Sequence, residues 1–265
     1  MGIVGKAFKR SVSNIFDPTF YGILRIAFVC VMKGKNKPGS ARVMGFKLHY
    51  NNANALLGMY NEIVRQESYR FISSSKSPII LDCGANIGVS MLYFKKLYPN
   101  AQLVGVEADP SVGEILIENL KKNGCDAEII HKALWSRSGD TINFGCAGSD
   151  SSSIYSDENV ISAETIGIVE LLSKYNKVDL LKIDIEGAEL EVLQNCGDSL
   201  SKVEHLFIEF HSFPSQPQKL EEILAITAKS GFRYKILPAK RMTKPFINKG
   251  EDQAMDLQLN IFFHR

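Results

Sequence analysis

Cysteine and long apolar runs are both scarce in this 265-residue chain. The five cysteines are scattered and odd in number, and no C-x-x-C pair occurs, which argues against a zinc cluster or a disulfide framework and favours a reducing compartment, the cytoplasm. The apolar stretch at residues 23–32 is interrupted by Arg25 and is far shorter than the roughly 20 residues of a membrane-spanning helix. No small-residue cleavage site follows it, as a signal peptide would require.

Acidic residues are nearly absent from the first 39 residues. Only Asp17 opposes the basic residues Lys6, Lys9, Arg10, Arg25, Lys33, Lys35 and Lys37. Residues 1–40 are therefore predicted to be a basic, amphipathic helical extension, for which two interpretations stay open. In the first, its helix packs on the domain that follows. In the second, residues 1–37 rest on anionic lipid at the cytoplasmic face of a membrane.

A glycine is missing where a dinucleotide site would need one. Residues 79–88 predict a strand, a glycine turn and a helix start, and residues 104–109 predict a second strand that ends in an acid. Gly84 permits the sharp turn and leaves room for a ligand, and Glu107 is placed to accept hydrogen bonds from both hydroxyls of a ribose. The middle glycine of G-x-G-x-x-G falls in Ala85-Asn86, which disfavours a pyrophosphate. An adenosine without phosphates fits better, and S-adenosylmethionine is the common one.

Strand and helix patterns alternate from residue 79 to the end of the chain. Residues 79–265 are therefore predicted to form a doubly wound α/β domain with a mostly parallel, seven-stranded sheet. The last two strands, 233–237 and 257–263, are expected to pair as a hairpin and to give the sheet an antiparallel edge strand. Residues 41–78 are predicted to be a cap that includes a helix over 55–71, and a further helix is predicted over 165–175.

Charged residues cluster where the fourth and fifth predicted strands end, which is the side on which such sheets bind ligands. Asp184 and Glu186 follow the fourth strand, and Glu209 and His211 end the fifth. Lys182 shares a face with Asp184, so it either neutralises that carboxylate or contacts substrate. An unperturbed histidine titrates near neutrality, so His211 is the predicted proton acceptor, with Asp184 and Glu209 beside the methyl acceptor. These groups could also ligate a divalent metal, which we do not predict.

Two polar loops are expected on the same side of the sheet. Ser151 and Ser152 belong to a serine-rich loop, and Arg241 belongs to a basic loop before the last strand. Each loop either contacts substrate or is a solvated turn. The core shows no basic stripe with interleaved aromatic residues, so no nucleic-acid partner is expected. The expected partner is a small-molecule or glycan acceptor, and the oligomeric state stays open.

The motifs taken together resemble the FkbM family of S-adenosylmethionine-dependent methyltransferases, from about Tyr60 to the C-terminus. The segments that carry the resemblance are Y-N-E-I (60–63), D-C-G-A-N-I-G (82–88), V-E-A (106–108), K-A-L (132–134), K-I-D-I-E-G-A-E (182–189) and I-E-F-H (208–211). The glycine turn alone is weak, because many class I methyltransferases share it. The D-x-E-G-A-E segment, following it in the right order, is more specific. The first forty residues lie outside the resemblance.

The resemblance implies a Rossmann-like class I methyltransferase fold and O-methylation, of a hydroxyl on a glycan, a sugar-containing or a polyketide-type metabolite. By this resemblance Asp82, Gly84, Asn86 and Glu107 hold the cofactor, Ala133 lies beside its adenine, and Asp184, Glu209 and His211 face the acceptor. We also predict cofactor contacts from Glu62, Ala108 and Asp184, and substrate contacts from Lys182, Glu186, Ser151, Ser152 and Arg241. Glu62 could reach either the cofactor or the substrate. Two alternatives remain: a nicotinamide-dependent oxidoreductase, which the missing glycine disfavours, and a non-catalytic, membrane-associated protein that retains the fold.

Overall fold

A seven-stranded sheet forms the centre of the computed structural model, which describes residues 18–34, 36–146, 152–153, 160–239, 246 and 255–265. The strands are β1 (Gly39–Val43), β2 (Phe46–Tyr50), β3 (Ile79–Cys83), β4 (Gln102–Val106), β5 (Glu128–Ile130), β6 (Ala133–Trp135), β7 (Thr141–Cys146), β8 (Ser152–Ser153), β9 (Val160–Gly167), β10 (Val178–Ile183), β11 (Val203–Ser212), β12 (Arg233–Pro238) and β13 (Leu257–His264). The α-helices are α1 (Pro18–Lys33), α2 (Ala53–Met59), α3 (Val89–Leu97), α4 (Pro110–Lys122), α5 (Ile168–Ser173), α6 (Glu189–Gln194) and α7 (Leu220–Lys229).

The central sheet runs in the order β12-β13-β11-β10-β3-β4-β5, and β11, β10, β3, β4 and β5 are parallel. All six residues of β10 are buried, as expected of a parallel strand that is covered by helices on both faces. Two apolar clusters fill the space between the sheet and its helices. The prediction of a doubly wound, mostly parallel, seven-stranded sheet is confirmed.

The antiparallel strand does not lie at the edge of the sheet, where we expected it. β13 lies between β11 and β12 and runs against both, so that β12 is the edge strand. The physical reason is burial: β13 places Ile261 and Phe263 in the core opposite Ile208 and Leu206, whereas every residue of β12 is exposed. The more apolar of the two strands therefore takes the inner position, and the more polar one faces water.

Residues 53–65 form one helical segment with two geometries. Asn52 caps its start by accepting hydrogen bonds from the backbone N–H groups of Asn54 and Ala55. α2 then continues into a π-helical segment, Tyr60–Arg65, which ends earlier than the helix predicted over 55–71. Wider π turns are often associated with functional sites, and Glu62 lies in this one.

The β1–β2 hairpin is joined to the large sheet's helices by buried Asn119 of α4. Its side-chain oxygen accepts a hydrogen bond from the His49 backbone N–H (2.7 Å), and its amide donates to the carbonyls of His49 (2.9 Å) and Ile87 (2.8 Å). A buried amide with these partners is fully compensated for the loss of water. The division of the chain at residues 40 and 78 remains a prediction.

Helix α1 packs across α2 and the π-helical segment. Gly22 allows the close approach, because a Cβ at this position would lie 1.9 Å from the Tyr60 hydroxyl. The predicted docking of a helix from the N-terminal extension is thus present for residues 18–33. No helix among the described residues has the length and hydropathy to span a membrane.

A second, smaller sheet with the order β6-β9-β7-β8 follows β5. β7 and β9 pair antiparallel over five residue pairs, and β6 runs parallel to β9. The helix predicted over 165–175 is wrong in its first turn: residues 165–167 belong to β9, and α5 begins at Ile168. Thr165 is a buried residue within this strand, and its hydroxyl donates to the carbonyl of Arg137 (2.8 Å) and accepts a hydrogen bond from the Asp140 N–H (3.0 Å).

Candidate active site

One cavity of about 550 Å³ opens at the carboxyl ends of β3, β4, β10 and β11. Parallel strands end on the same side of a sheet, so residues from distant parts of the sequence meet there. The predicted site residues that line the cavity are Glu62, Gly84, Asn86, Glu107, Ala108, Ala133, Lys182, Asp184, Glu186 and Glu209. Asp82 and His211 are not among the lining residues.

The glycine turn after β3 is required by the neighbouring strand as well as by its own backbone. Gly84 has φ +82°, and a Cβ there would lie 1.8 Å from the carbonyl oxygen of Asp184. The N–H groups of Gly84 and Ala85 both donate to the carbonyl of Val106, at 2.9 and 3.1 Å. Gly84 does line the cavity, but the space that its missing side chain leaves is filled by the chain after β10 and not by open cavity.

Glu107, at the end of β4, presents its carboxylate to the cavity in a fixed orientation. Oε2 accepts a hydrogen bond from the Asn86 N–H (2.8 Å), and Oε1 accepts one from the Asp109 N–H (3.0 Å). Burial raises the pKa of Glu107 to about 7, although these two hydrogen bonds oppose the rise. Each oxygen keeps a free lone pair, so the carboxylate can accept two further hydrogen bonds side by side.

Asp82 lies beneath the cavity, which corrects its predicted direct contact with a cofactor. Its side chain is completely buried, accepts a hydrogen bond from the Ser90 hydroxyl (2.5 Å) and lies 3.2 Å from the ammonium of Lys182. Lys182 also donates to the Gly84 carbonyl (3.1 Å) and contacts Asp184 (3.1 Å). Asp82 therefore acts on the site through Lys182 and Ser90, both of which line the cavity.

The ammonium of Lys182 stays charged although it is buried. Burial opposes the charge, but the carboxylates of Asp184 and Asp82 outweigh that effect and raise the pKa of Lys182 above its usual value. A buried cation of this kind is tolerated only because it has ionic partners and a hydrogen-bond acceptor. Lys182 neutralises Asp184, which was the first of its two interpretations, and also borders the cavity.

Four carboxyl groups meet at the side of the cavity formed by β10, β11 and the π-helical segment: Glu62, Asp184, Glu186 and Glu209. Glu62 accepts hydrogen bonds from Asn260 (2.8 Å) and the Tyr69 hydroxyl (3.4 Å), and Glu209 accepts one from Gln258 (2.5 Å). Burial, followed by repulsion from Asp184, raises the pKa of Glu62 and raises that of Glu209 well above its usual range.

Glu186 has an uncommon backbone conformation and a carboxyl group with a raised pKa. Its backbone has φ +56°, an uncommon value for a residue with a side chain. Burial raises the pKa of its carboxyl group to about 7, although His211 opposes the rise. Glu186 thus offers the cavity a carboxyl group that gains and loses its proton near neutral pH.

His211 is not placed to act as the general base, so this prediction is wrong. Its side chain is completely buried: Nδ1 lies 3.0 Å from Glu189 Oε1, and Nε2 lies 3.4 Å from Glu186 Oε2. Burial opposes a charge on the ring, but the carboxylates of Glu189 and Glu186 outweigh it and raise the pKa of His211 to about 10. An imidazolium that is already protonated cannot accept the proton of a substrate.

The family model for the methyltransferase FkbM domain matches residues 82–234, which include most of the residues that line this cavity. This chain belongs to the FkbM methyltransferase family. Two curated fungal relatives of this FkbM methyltransferase are also methyltransferases by name. "Methyltransferase sdnD" of Sordaria araneosa is 30% identical and the match covers 53% of this chain and 68% of that protein. "Methyltransferase 1" of Beauveria bassiana is 22% identical, with 53% and 67% covered.

Solved structures similar to this FkbM methyltransferase include methyltransferase FkbM from Methylobacillus flagellatus KT. That structure has a TM-score of 0.48 and 17% identity, and the match covers 80% of this chain and 53% of that one. TYW2 of M. jannaschii in complex with AdoMet has a TM-score of 0.44 and 14% identity, with 88% of each chain covered. The resemblance read from the sequence is confirmed by the family match, and the chain is a methyltransferase built on a mostly parallel, seven-stranded α/β sheet.

Ligand atoms of Asp184, Glu186 and His211 lie within 4.8 Å of one another, which is compact enough for a divalent cation. The two carboxylates already have cationic partners in the protein, since Lys182 contacts Asp184 and the His211 ring contacts Glu186. A metal ion there would stand next to the Lys182 ammonium, which electrostatic repulsion disfavours. Asp184, Glu186 and His211 therefore fit a metal ion poorly.

Several residues of the FkbM methyltransferase site were missed in the sequence. Glu189 is 1% exposed, and its Oε1 accepts hydrogen bonds from the Gly187 N–H (3.0 Å) and from His211. Its place as the last acid of the D-x-E-G-A-E segment was the available signal. Gln258 and Asn260 of β13 orient Glu209 and Glu62, and only the pairing of β13 with β11 brings them there.

The site described above does not include the three predicted loop contacts of the FkbM methyltransferase. Ser151 and Arg241 lie outside the described residues, and Ser152 is the first residue of the short strand β8. All three stay predictions. Among the described residues, Phe144 and Ile142 of β7 line the cavity beside the predicted cofactor residue Ala133.

Proposed function

We propose that this FkbM-family methyltransferase moves a methyl group from S-adenosylmethionine to a hydroxyl group of a glycan, sugar-containing or polyketide-type acceptor. The observation that carries the proposal is the carboxylate of Glu107, held by two backbone N–H groups beside the glycine turn and open to the cavity. Two adjacent carboxylate oxygens match the two adjacent hydroxyls of a ribose. The apolar lining residues Ala108, Ala133 and Leu134 support an aromatic base next to it.

The charges of the cavity favour a cationic methyl donor. Lys182 and His211 face six acids in this region: Glu62, Asp82, Asp184, Glu186, Glu189 and Glu209. The donor carries a positive sulfonium whose methyl group is already activated. Burial raises the pKa of Glu62, Glu186 and Glu209. A cation bound beside them would favour their ionised forms, which would in turn attract the sulfonium and the ammonium group of the donor.

Methyl transfer to a hydroxyl requires that the hydroxyl proton be removed as the new bond forms. Glu186 is our candidate for the proton acceptor, because it lines the cavity and burial raises its pKa to about 7, close to neutral pH. His211 keeps Glu186 in place from behind, at 3.4 Å. Glu209 and Gln258 border the same space and can accept or donate hydrogen bonds to further hydroxyls of the acceptor.

The donor half of the proposal is tested by isothermal titration of the purified chain with S-adenosylhomocysteine. Glu107→Gln should weaken binding by roughly 10- to 100-fold, because it replaces a charged acceptor of two hydrogen bonds by a neutral amide. Glu114→Gln, an exposed site on α4, is the matched control and should bind like the parent chain. Equal affinity of both variants would show that Glu107 does not hold the ligand.

The acceptor half needs a separate assay in which radiolabelled methyl groups are followed into hydroxylated compounds, with and without a chelator. Neither the oxidoreductase nor the non-catalytic alternative gains support from the family match. Titration with NAD under the same conditions tests the oxidoreductase alternative, which requires that NAD bind. The cytoplasmic location stays a prediction; the described cysteines Cys83, Cys125 and Cys196 are free and buried.

A further inference from the structure

Helix α1 has one face that packs on the protein and another whose large apolar side chains are exposed. On the inner face Ile26 is 2% exposed, Ile23 packs against the core, and Gly22 meets the ring of Tyr60. This face attaches α1 to the α2 and π-helical segment, which supplies part of the cavity wall. The inner face of α1 therefore holds the helix against the protein.

The outer face of α1 is apolar at helical spacing. Tyr21 is 51% exposed, Leu24 48%, Phe28 64% and Val31 79%. These positions are three or four residues apart, so they form one continuous stripe along the helix. Large side chains left in water singly are common, whereas four in one row are a mark of an interaction surface.

Positive charge surrounds this stripe. Arg25 is exposed within the helix, Lys37 is exposed just after it, and Arg42 and Lys47 are exposed on the β1–β2 hairpin that contacts it. The sequence of residues 1–39 holds seven basic residues and one acid, Asp17. An apolar face flanked by lysine and arginine is the pattern of a helix that lies in the interface of an anionic membrane.

We propose that the stripe Tyr21-Leu24-Phe28-Val31 binds an anionic lipid surface, with α1 lying parallel to that surface. A second copy of the chain fits the stripe less well. In a twofold interface the same patch would face itself, so Arg25 would approach its own symmetry mate and repel it. A helix of 16 residues with four apolar side chains also offers less than the roughly 800 Å² per partner of a stable interface.

The test is co-sedimentation of the full chain with vesicles of phosphatidylcholine, with and without phosphatidylglycerol. The parent chain should sediment only with the anionic vesicles and should be released by high salt. Phe28→Ser should lower the partition coefficient by roughly tenfold, because it removes the apolar ring from the middle of the stripe. Ile72→Ser is the matched control, since Ile72 is 91% exposed but lies away from α1, and it should change nothing.

The charge is tested separately. Arg25→Glu should reduce binding to anionic vesicles, and Lys229→Glu, at an exposed site on α7, should not. Circular dichroism melting of each variant shows whether α1 and the rest of the fold are intact. Failure of the folded parent chain to sediment, or equal partition of Phe28→Ser and Ile72→Ser, overturns the proposal. A dimer in light scattering that Phe28→Ser dissociates would assign the stripe to a second copy instead.

Discussion

Replacing Lys182 by methionine should strongly destabilise the protein. The Lys182 side chain is 3% exposed, and its ammonium is the shared partner of Asp82 (3.2 Å), Asp184 (3.1 Å) and the Gly84 carbonyl (3.1 Å). Methionine fills a similar volume but removes the charge. The carboxylate of Asp82, with no exposed surface of its own, is then left with the Ser90 hydroxyl alone.

The loss of one partner from a buried ion pair costs about 3–5 kcal/mol, because the remaining charge is neither paired nor hydrated. Against a free energy of unfolding of about 5–15 kcal/mol, this is a large fraction of the total. Urea unfolding followed by circular dichroism at neutral pH measures the change directly. Lys177→Met is the matched control, since Lys177 forms an exposed pair with Glu204 at 3.1 Å, and it should cost less than about 1 kcal/mol.

The double variant Asp82→Asn/Lys182→Met decides whether the charge is the cause. If the unpaired carboxylate carries the penalty, the double variant should be more stable than Lys182→Met alone, with a coupling energy of about 1–3 kcal/mol. Strictly additive effects, or a cost for Lys182→Met no larger than that of Lys177→Met, would refute the account of Lys182 as the counter-charge of a buried acid.

Three further outcomes are expected. The raised pKa of His211 means that the folded protein binds this proton more tightly than the unfolded chain does. The resulting stabilisation is complete below the unfolded pKa of about 6.5 and is lost as the pH rises toward about 10. The difference in urea midpoint between the parent chain and His211→Gln should therefore narrow over this pH range. The kcat/KM of the methyl transfer should rise with pH up to about 7, and Glu186→Gln should lower it by roughly 100-fold and abolish the rise. Gly84→Ala should prevent folding, as judged by circular dichroism, because its Cβ would overlap the Asp184 carbonyl.

Each of these has a control. Glu221→Gln, at an exposed position on α7, should retain the pH profile that Glu186→Gln loses. Gly58→Ala should fold, since a Cβ there meets nothing within 4 Å. A constant stability gap for His211→Gln from pH 6.5 to 10 would mean that the ring is not held as a cation. A well-folded Gly84→Ala would mean that the chain after β10 can move away.

Most strands of the central sheet were predictable because they are apolar runs that alternate with helix-like segments along the chain. The start of the helix predicted over 165–175 was not predictable, since apolar runs of this length suit a strand as well as a helix. The parallel pairing of β9 with β6 makes residues 165–167 part of a strand. The position of β13 inside the sheet was equally hidden. Local periodicity carries no information on which of two paired strands takes the inner place.

The sequence by itself determined the family, the parallel sheet and ten of the residues that line the cavity, because these follow from motifs and from the rule that ligands bind where parallel strands end. Only the tertiary structure decided which contacts those residues make and which of them carry a charge. His211 became a buried cation because Glu186 and Glu189 fold against it, and Asp82 became a partner of Lys182 beneath the cavity. Protonation depends on burial and on charges a few ångströms away, and the fold alone brings those charges together.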